Sequence, residues 1–438
     1  MQLSCESLND TLGFYQPRHF SISLASSDAT AVPGKGQEVR VTLTARGLVT
    51  LWHEYTHFLQ SVSTLAGIAE LLSWFDIHCD LAKDRDVLTS GGHKAFKTNP
   101  ATWPNLAQSV PGVEGMLRVQ YFRKDDDVRF SAPDRYAPWQ IFIDGAVAGI
   151  PSYWMKVPLD KNHKSVRITR SFFAEAMARA VGDLASGAKT PEDRVALSDD
   201  QVVYYALRRF LAEKMPDVDP VVATIVIADA CLFSEVPFVT LKYLETGLAA
   251  GGVMEKVAQA VKRRDSIAVA RQFNPLFDSD LREFNDFIDS RIESLSTATG
   301  TDASRYVCDL WRYIKEALNK RAASQRAAEV FVDKGFAWED FTRICTDYGC
   351  PVVTVEKEHI RFAGREELCT AWLHFSAGSF IFEKYFLGQT RPCRFMDSPA
   401  CAHPKKGSIC ETDPAHVPPD GEGRVCLVGN VAASMSLR

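Results

Sequence analysis

The sequence predicts an α+β protein that is predominantly α-helical, with a small antiparallel sheet beside one unusual helix. Three patterns carry that reading: short extended runs between Met116 and Leu159, amphipathic helical periods from about residue 166 onward, and a helical stretch, Leu48 to Thr64, holding a cluster of titratable side chains. With 438 residues, 46% of them hydrophobic, the chain can bury one large core or two to three smaller ones. The expected divisions are 1–160, an N-terminal region with the unusual helix and the sheet; 161–390, a helical region; and 391–438, a tail containing Cys and His.

Taken in order, residues 1 to 45 form a strand-containing lead-in, because Glu38 to Thr44 alternates with the period of a strand. The helix over Leu48 to Thr64 is expected to run on to about Phe75, with Gly67 the point where it bends. Gly, Pro, Asn and Ser make residues 80 to 115 mainly loops. The runs LRVQYF, VRFSA, QIFIDG and IPSYWMKVPL then supply the antiparallel sheet, and Asp125, Asp126 and Asp127 between two of them read as a solvated hairpin turn. Helices are predicted over 166–186, 199–214, 219–248 with a break at Pro237, 253–264, Asp280 to Leu295, Ser304 to Lys334 and Glu366 to Leu387.

A formal net charge of −5 leaves no basic footprint for nucleic acid or anionic lipid, so neither is expected as a partner. No window reaches bilayer length, and the first residues lack a basic start followed by an apolar run, which predicts a soluble, cytoplasmic protein. Eleven cysteines in such a setting are expected as reduced thiols, with Cys79, Cys231, Cys308 and Cys369 packed as small hydrophobes.

The chemistry concentrates in His53-Glu54-Tyr55-Thr56-His57, an HExxH arrangement. On a helix, side chains four apart stand one above the other, so His53 and His57 present imidazole nitrogens to a single zinc ion. Glu54 then reaches the water that the ion holds, as general base. The helical wheel places Thr50, His53, His57, Gln60 and Thr64 on a wet side and Leu48, Trp52, Tyr55, Leu59, Val62 and Ala66 on an apolar one. The bland alternative is a helix with two core or surface histidines, but so many polar groups on a greasy helix are costly to bury without a metal or partners.

A catalytic zinc takes three protein ligands. The local metzincin pattern needs Gly at 60 and His at 63, where this chain has Gln60 and Ser63, so the third ligand comes from another element. Glu175 is the best candidate, an acid in the middle of a strong helix former and surrounded by Phe172, Phe173, Ala174, Ala176, Met177 and Ala178. Its competing reading is an ion pair with Arg179 at the favourable i+4 spacing. Asp183, Asp229 and Glu235 stand as rival ligands or supports. Tyr204, Tyr205 and His163 are candidate donors to a developing oxyanion.

With His53, Glu54, His57 and Glu175 so disposed, the chain resembles the gluzincins, the thermolysin-like zinc metallopeptidases in which a glutamate on a later helix completes the HExxH site. The resemblance rests on those four residues, within about 40 to 240. Glu175 follows His57 by 118 residues, a longer interval than in many members. Arg179 stands where thermolysin-like enzymes often place an Asp, which leaves the support of the ligands unassigned. The resemblance implies a zinc-dependent peptidase acting on a peptide or protein substrate. The alternative is a non-catalytic helical interaction protein, with or without a stabilising metal, and Glu54 favours the enzyme because a structural zinc needs no base beside its ligands.

The tail carries Cys393, Cys401, Cys410 and Cys426 with His403 and His416 in a Pro- and Gly-rich stretch too polar to fold by burial alone. A second, structural zinc there, ordinary reduced cysteines in a loop, and redox-sensitive disulfides are the three readings. Nothing in the sequence sets the oligomeric state.

Overall fold

The motif helix forms where the period places it, and most of the chain is arranged around it. The structure is a computed structural model and describes residues 13–16, 20–33, 39–83, 101, 103–105, 107, 128–131, 140–147, 150–158, 163–187, 199–234, 237–249, 252–299, 302–324, 336–355, 358–360, 366–385, 393 and 426–434. Strands β1 (Gly13–Gln16) and β2 (Ser21–Leu24) pair antiparallel, as do β3 (Ala29–Pro33) and β4 (Val39–Leu43). Helix α1 (Ala45–Ser63) follows β4 directly, and the Thr44 hydroxyl caps it by accepting the Gly47 N–H at 2.9 Å. Gly47 is required there, because a Cβ would run into the Asp28 carbonyl.

Helix continues past Phe75 as expected, but the bend is corrected from Gly67 to Thr64: there the chain turns by 74° and restarts as α2 (Leu65–Lys83). The break falls at Thr64, whose backbone is extended and whose hydroxyl donates to the Gln60 carbonyl and accepts the Gly67 N–H. Gly67 serves the corner differently from a simple bend, since a Cβ there would strike the Gln60 carbonyl and lie 2.7 Å from Ser61 Cα.

Strands β5 (Val128–Ser131), β6 (Gln140–Val147), β7 (Ile150–Pro158) and β8 (His163–Arg167) form an antiparallel sheet in the order β5-β8-β7-β6. Three of these match the predicted extended runs; LRVQYF and Asp125 to Asp127 lie outside the described residues. The predicted helix from 166 is corrected at its start. Val166 pairs with Met155 and Arg167 with Trp154 as the end of β8, and Thr169 then caps α3 (Arg170–Ser186) by accepting the Phe172 N–H. The β-branched run Val166, Ile168, Thr169 suits the sheet, and this short link aims α3 from the sheet onto α1.

The following helices are α4 (Asp199–Lys214), α5 (Pro220–Leu232), α6 (Pro237–Ala249), α7 (Gly252–Lys262), α8 (Ser266–Phe273), α9 (Phe277–Thr299) and α10 (Asp302–Ala323). Pro220 and Pro237 each open a helix, as expected where an N–H is dispensable. α11 (Trp338–Tyr348), β9 (Val352–Val355), β10 (Glu358–Ile360), α12 (Glu366–Tyr385) and α13 (Leu427–Ser434) complete the described chain. β9 pairs parallel with β2, giving the mixed sheet β1-β2-β9-β10 that packs on α1. The protein is thus a predominantly α-helical α+β structure with small, mainly antiparallel sheets.

One continuous cluster of buried side chains runs from Phe20 to Ala432. At its centre Trp52, Tyr55 and Phe58 of α1 meet Phe341 and Trp372, and each such fully buried side chain contributes about 1.5–3 kcal/mol of burial free energy. Trp52 Nε1 donates to the Phe336 carbonyl at 3.2 Å and the Tyr55 hydroxyl to that of Gly349 at 2.7 Å, so the polar ends of these rings are satisfied. The tail reading needs amendment too: Val428, Val431 and Ala432 of α13 are buried, and α13 packs on α12 and α10. Among the described residues no single helix is long and apolar enough to cross a membrane.

Candidate metal centre

Two helices build the site. α1 supplies His53 and His57 one turn apart, their rings 5.0 Å between centroids and nearly perpendicular, and α3 crosses α1 with Glu175 facing both. The helices meet where Gly182 of α3 faces Val49 and His53 of α1. α3 is itself anchored at its first residue, where the buried Arg170 guanidinium pairs with the buried Glu70 carboxylate of α2.

Glu175 Oε2 lies 3.4 Å from His57 Nε2 and 3.7 Å from His53 Nε2. Tetrahedral zinc bonds of about 2.0–2.1 Å separate neighbouring ligand atoms by roughly 3.4 Å, so this spacing fits a zinc ion. Among the described residues these three are the one group of His, Cys, Asp or Glu close enough to share a metal, with their ligand atoms within 4.8 Å of one another. All three are partly open to solvent, at 21%, 14% and 32% side-chain exposure, so an ion can reach them.

Two of the three rivals for the third position are engaged elsewhere. Asp183 takes Arg179 at 3.0 Å and Arg208 at 2.7 Å, which also shows that Arg179 turns away from the pairing with Glu175 weighed above. Asp229 is fully buried against Arg321 and Ser266. Glu235 lies outside the described residues. Of the candidate oxyanion donors, Tyr205 packs beneath the Arg179 and Arg208 guanidinium groups; Tyr204 sits half-buried on α4; and the side chain of His163 lies outside the described ones.

Burial by itself would lower the His57 pKa, but the Glu175 carboxylate, helped by Glu54 and Gln60, more than offsets it and raises it to about 9. Burial likewise opposes ionisation of Glu175, and His57 with His53 overrides it, holding the acid far below the usual carboxylate range. Glu54 is 6% exposed and its pKa is raised, chiefly by burial and further by Glu175, against the lowering pull of His53, His57 and the Tyr15 main-chain N–H. That contact from β1 has no signal in the sequence, because the motif does not say which strand will cover its acid.

The wet face drawn from the helical wheel is corrected for three of its members. Thr50, Gln60 and Thr64 are buried, at 7%, 1% and 0% exposure, and only the two histidines reach solvent. Each buried member has a local partner: Thr50 donates to the Arg46 carbonyl, Thr64 makes the helix corner, and Gln60 contacts both His57 and α3. In the tail Cys393 and Cys426 are buried, while Cys401, Cys410, His403 and His416 lie outside the described residues.

The chain matches no protein-family model, no curated protein and no solved structure.

Proposed function

We propose that the protein is a zinc-dependent peptidase of the gluzincin type, with His53, His57 and Glu175 as ligands, Glu54 as general base and a peptide or protein as substrate. The observation that carries it is the convergence of Glu175 on the paired imidazoles at ligand spacing, across 118 residues of sequence, beside an acid the motif assigns to proton transfer. When bound, zinc supplies a Lewis acid that polarises a carbonyl and brings the pKa of water to about 7.

The chain's own groups do the rest. Glu54 takes a proton from the water as its oxygen forms a bond to the peptide carbonyl carbon. It then delivers that proton to the amide nitrogen as the C–N bond breaks. His53 and His57 contribute neutral Nε2 lone pairs, and Glu175 one carboxylate charge, which leaves a site of net +1 with the ion in place. Cys231, Cys308 and Cys345 pack in the core as small hydrophobes, and we place the protein in the cytoplasm.

The test is hydrolysis of a mixed peptide library by zinc-loaded protein, read by mass spectrometry, beside Glu54→Gln. Cleavage by wild type that drops about 10²–10⁴-fold in the variant, with zinc retained, supports the peptidase. Zinc binding with no cleavage by either leaves the metal-stabilised interaction protein in its place.

A further inference from the structure

We propose that Gln60 is the positioning residue of this metal centre, a clamp that fixes the ring of His57 and ties the helix of Glu175 to the helix of the histidines. The proposal rests on the metal reading above. Gln60 lies three residues after His57 and is 1% exposed, so its amide has no water to satisfy it. Its Oε1 is 3.0 Å from His57 Nδ1, and its Nε2 donates to the carbonyl of Ala174 at 3.2 Å, on α3. A carboxamide oxygen only accepts, so the contact requires His57 Nδ1 to carry its proton. Nε2 of the same ring, on the side where Glu175 lies, is then the nitrogen left to give up its proton and offer a lone pair when an ion binds.

The other half of the amide sets the position of Glu175. Ala174 immediately precedes it, so a hydrogen bond to that carbonyl holds the one turn of α3 that must stay in register with His53 and His57. One side chain thereby joins two ligands that come from separate helices. Gln60 is itself held, since its own carbonyl accepts from Thr64 at the helix corner and Gly67 packs against it. Metal-binding histidines generally donate their second N–H to a carboxylate, carbonyl or water, and loss of that partner typically weakens metal affinity about 10–100-fold. A neutral amide in this role adds no charge to the site and lets the same group reach across to a backbone carbonyl.

Zinc affinity by chelator competition is compared for wild type, Gln60→Met, which keeps the volume and removes both hydrogen bonds, and Gln60→Glu, which keeps an acceptor for His57. Far-UV circular dichroism checks the fold of each. The expected result is about 10–100-fold weaker zinc binding by Gln60→Met, with Gln60→Glu, which keeps the acceptor for His57 but loses the tie to Ala174, falling between it and wild type. A folded Gln60→Met that binds zinc as tightly as wild type overturns the proposal. Nitrogen-15 spectra of histidine-labelled wild type give a test that needs no variant: zinc should bind His57 at Nε2 with Nδ1 protonated, and metal at Nδ1 overturns it. Should wild type bind no zinc, the metal reading fails by itself. The clamp is then judged in the metal-free protein, where a hydrogen-bonded Nδ1 proton of His57 lost in Gln60→Met supports it and one retained overturns it.

Discussion

Replacing Asp229 separates a rival ligand from a structural anchor. Asp229 and Arg321 are 0% and 1% exposed, and Arg321 Nη2 lies 2.6 Å from both carboxylate oxygens. Ser266 donates to the same carboxylate at 2.6 Å, and Arg321 Nη1 donates to Ser63 at the end of the motif helix at 3.0 Å. Asp229→Ala strips the guanidinium of its counter-charge with no water nearby, so the expected loss is about 3–5 kcal/mol, the range for breaking a buried pair from one side. That is a large part of the roughly 5–15 kcal/mol by which domains are stable. Urea unfolding followed by tryptophan fluorescence measures it. The double variant Asp229→Leu with Arg321→Met should regain most of the loss, because neither charge is then buried alone. Below the unfolding transition, Asp229→Ala should still bind zinc like wild type, since the acid faces Arg321 and not the histidines. A loss under about 1 kcal/mol, the level of an exposed pair, or a selective loss of zinc from folded variant, refutes the reasoning.

Three further outcomes follow from the geometry. In chelator, the His57–Glu175 pair should stabilise the protein within a pH window. His57 has its pKa raised from 6.5 to about 9, so its contribution is complete below 6.5 and is lost as pH rises through about 9. Glu175 is depressed from 4.5, so its contribution is complete above 4.5 and is lost as pH falls towards its native value. The difference in melting temperature between wild type and Glu175→Gln should therefore be greatest between pH 4.5 and 6.5, and a difference constant from pH 4 to 10 contradicts the assignment. Gly67→Ala should destabilise by about 1–3 kcal/mol or more, because the corner between α1 and α2 leaves no room for a methyl group beside the Gln60 carbonyl; an unchanged urea midpoint would count against that packing. Arg208→Met should leave zinc affinity within about twofold of wild type, as Arg208 serves Asp183 and Tyr205; a tenfold loss would draw that cluster into the site.

Much of this was legible in the residues because local rules dominate where the chemistry lies. Spacing by four put His53 and His57 on one turn, alternation marked β4, and short extended runs between turn residues marked β6 and β7. Glu175 stood out as an acid among small and apolar neighbours, and the structure brings it to the imidazoles. What the sequence hid was set by long-range packing. The wheel drew Gln60 and Thr64 as wet because it knows nothing of α3 or of the turn into α2 that buries them. Strand β9 pairs with β2 across most of the chain's length, a parallel partnership with no local signature. Val166 and Arg167 fitted a helical period but were claimed by β7, which local pattern cannot foresee. The last helix, Leu427–Ser434, was masked by the polar stretch before it.

The most direct measurement is zinc stoichiometry by mass spectrometry on protein purified without chelators, for wild type, His57→Ala and Glu175→Ala. One ion that is lost in both variants, while their far-UV spectra stay native, is the predicted result. An ion that survives in both belongs to another place, such as the Cys- and His-containing tail. Wild type that holds no zinc, or Glu175→Ala that retains the His57-dependent ion at full affinity, contradicts a centre built from His53, His57 and Glu175.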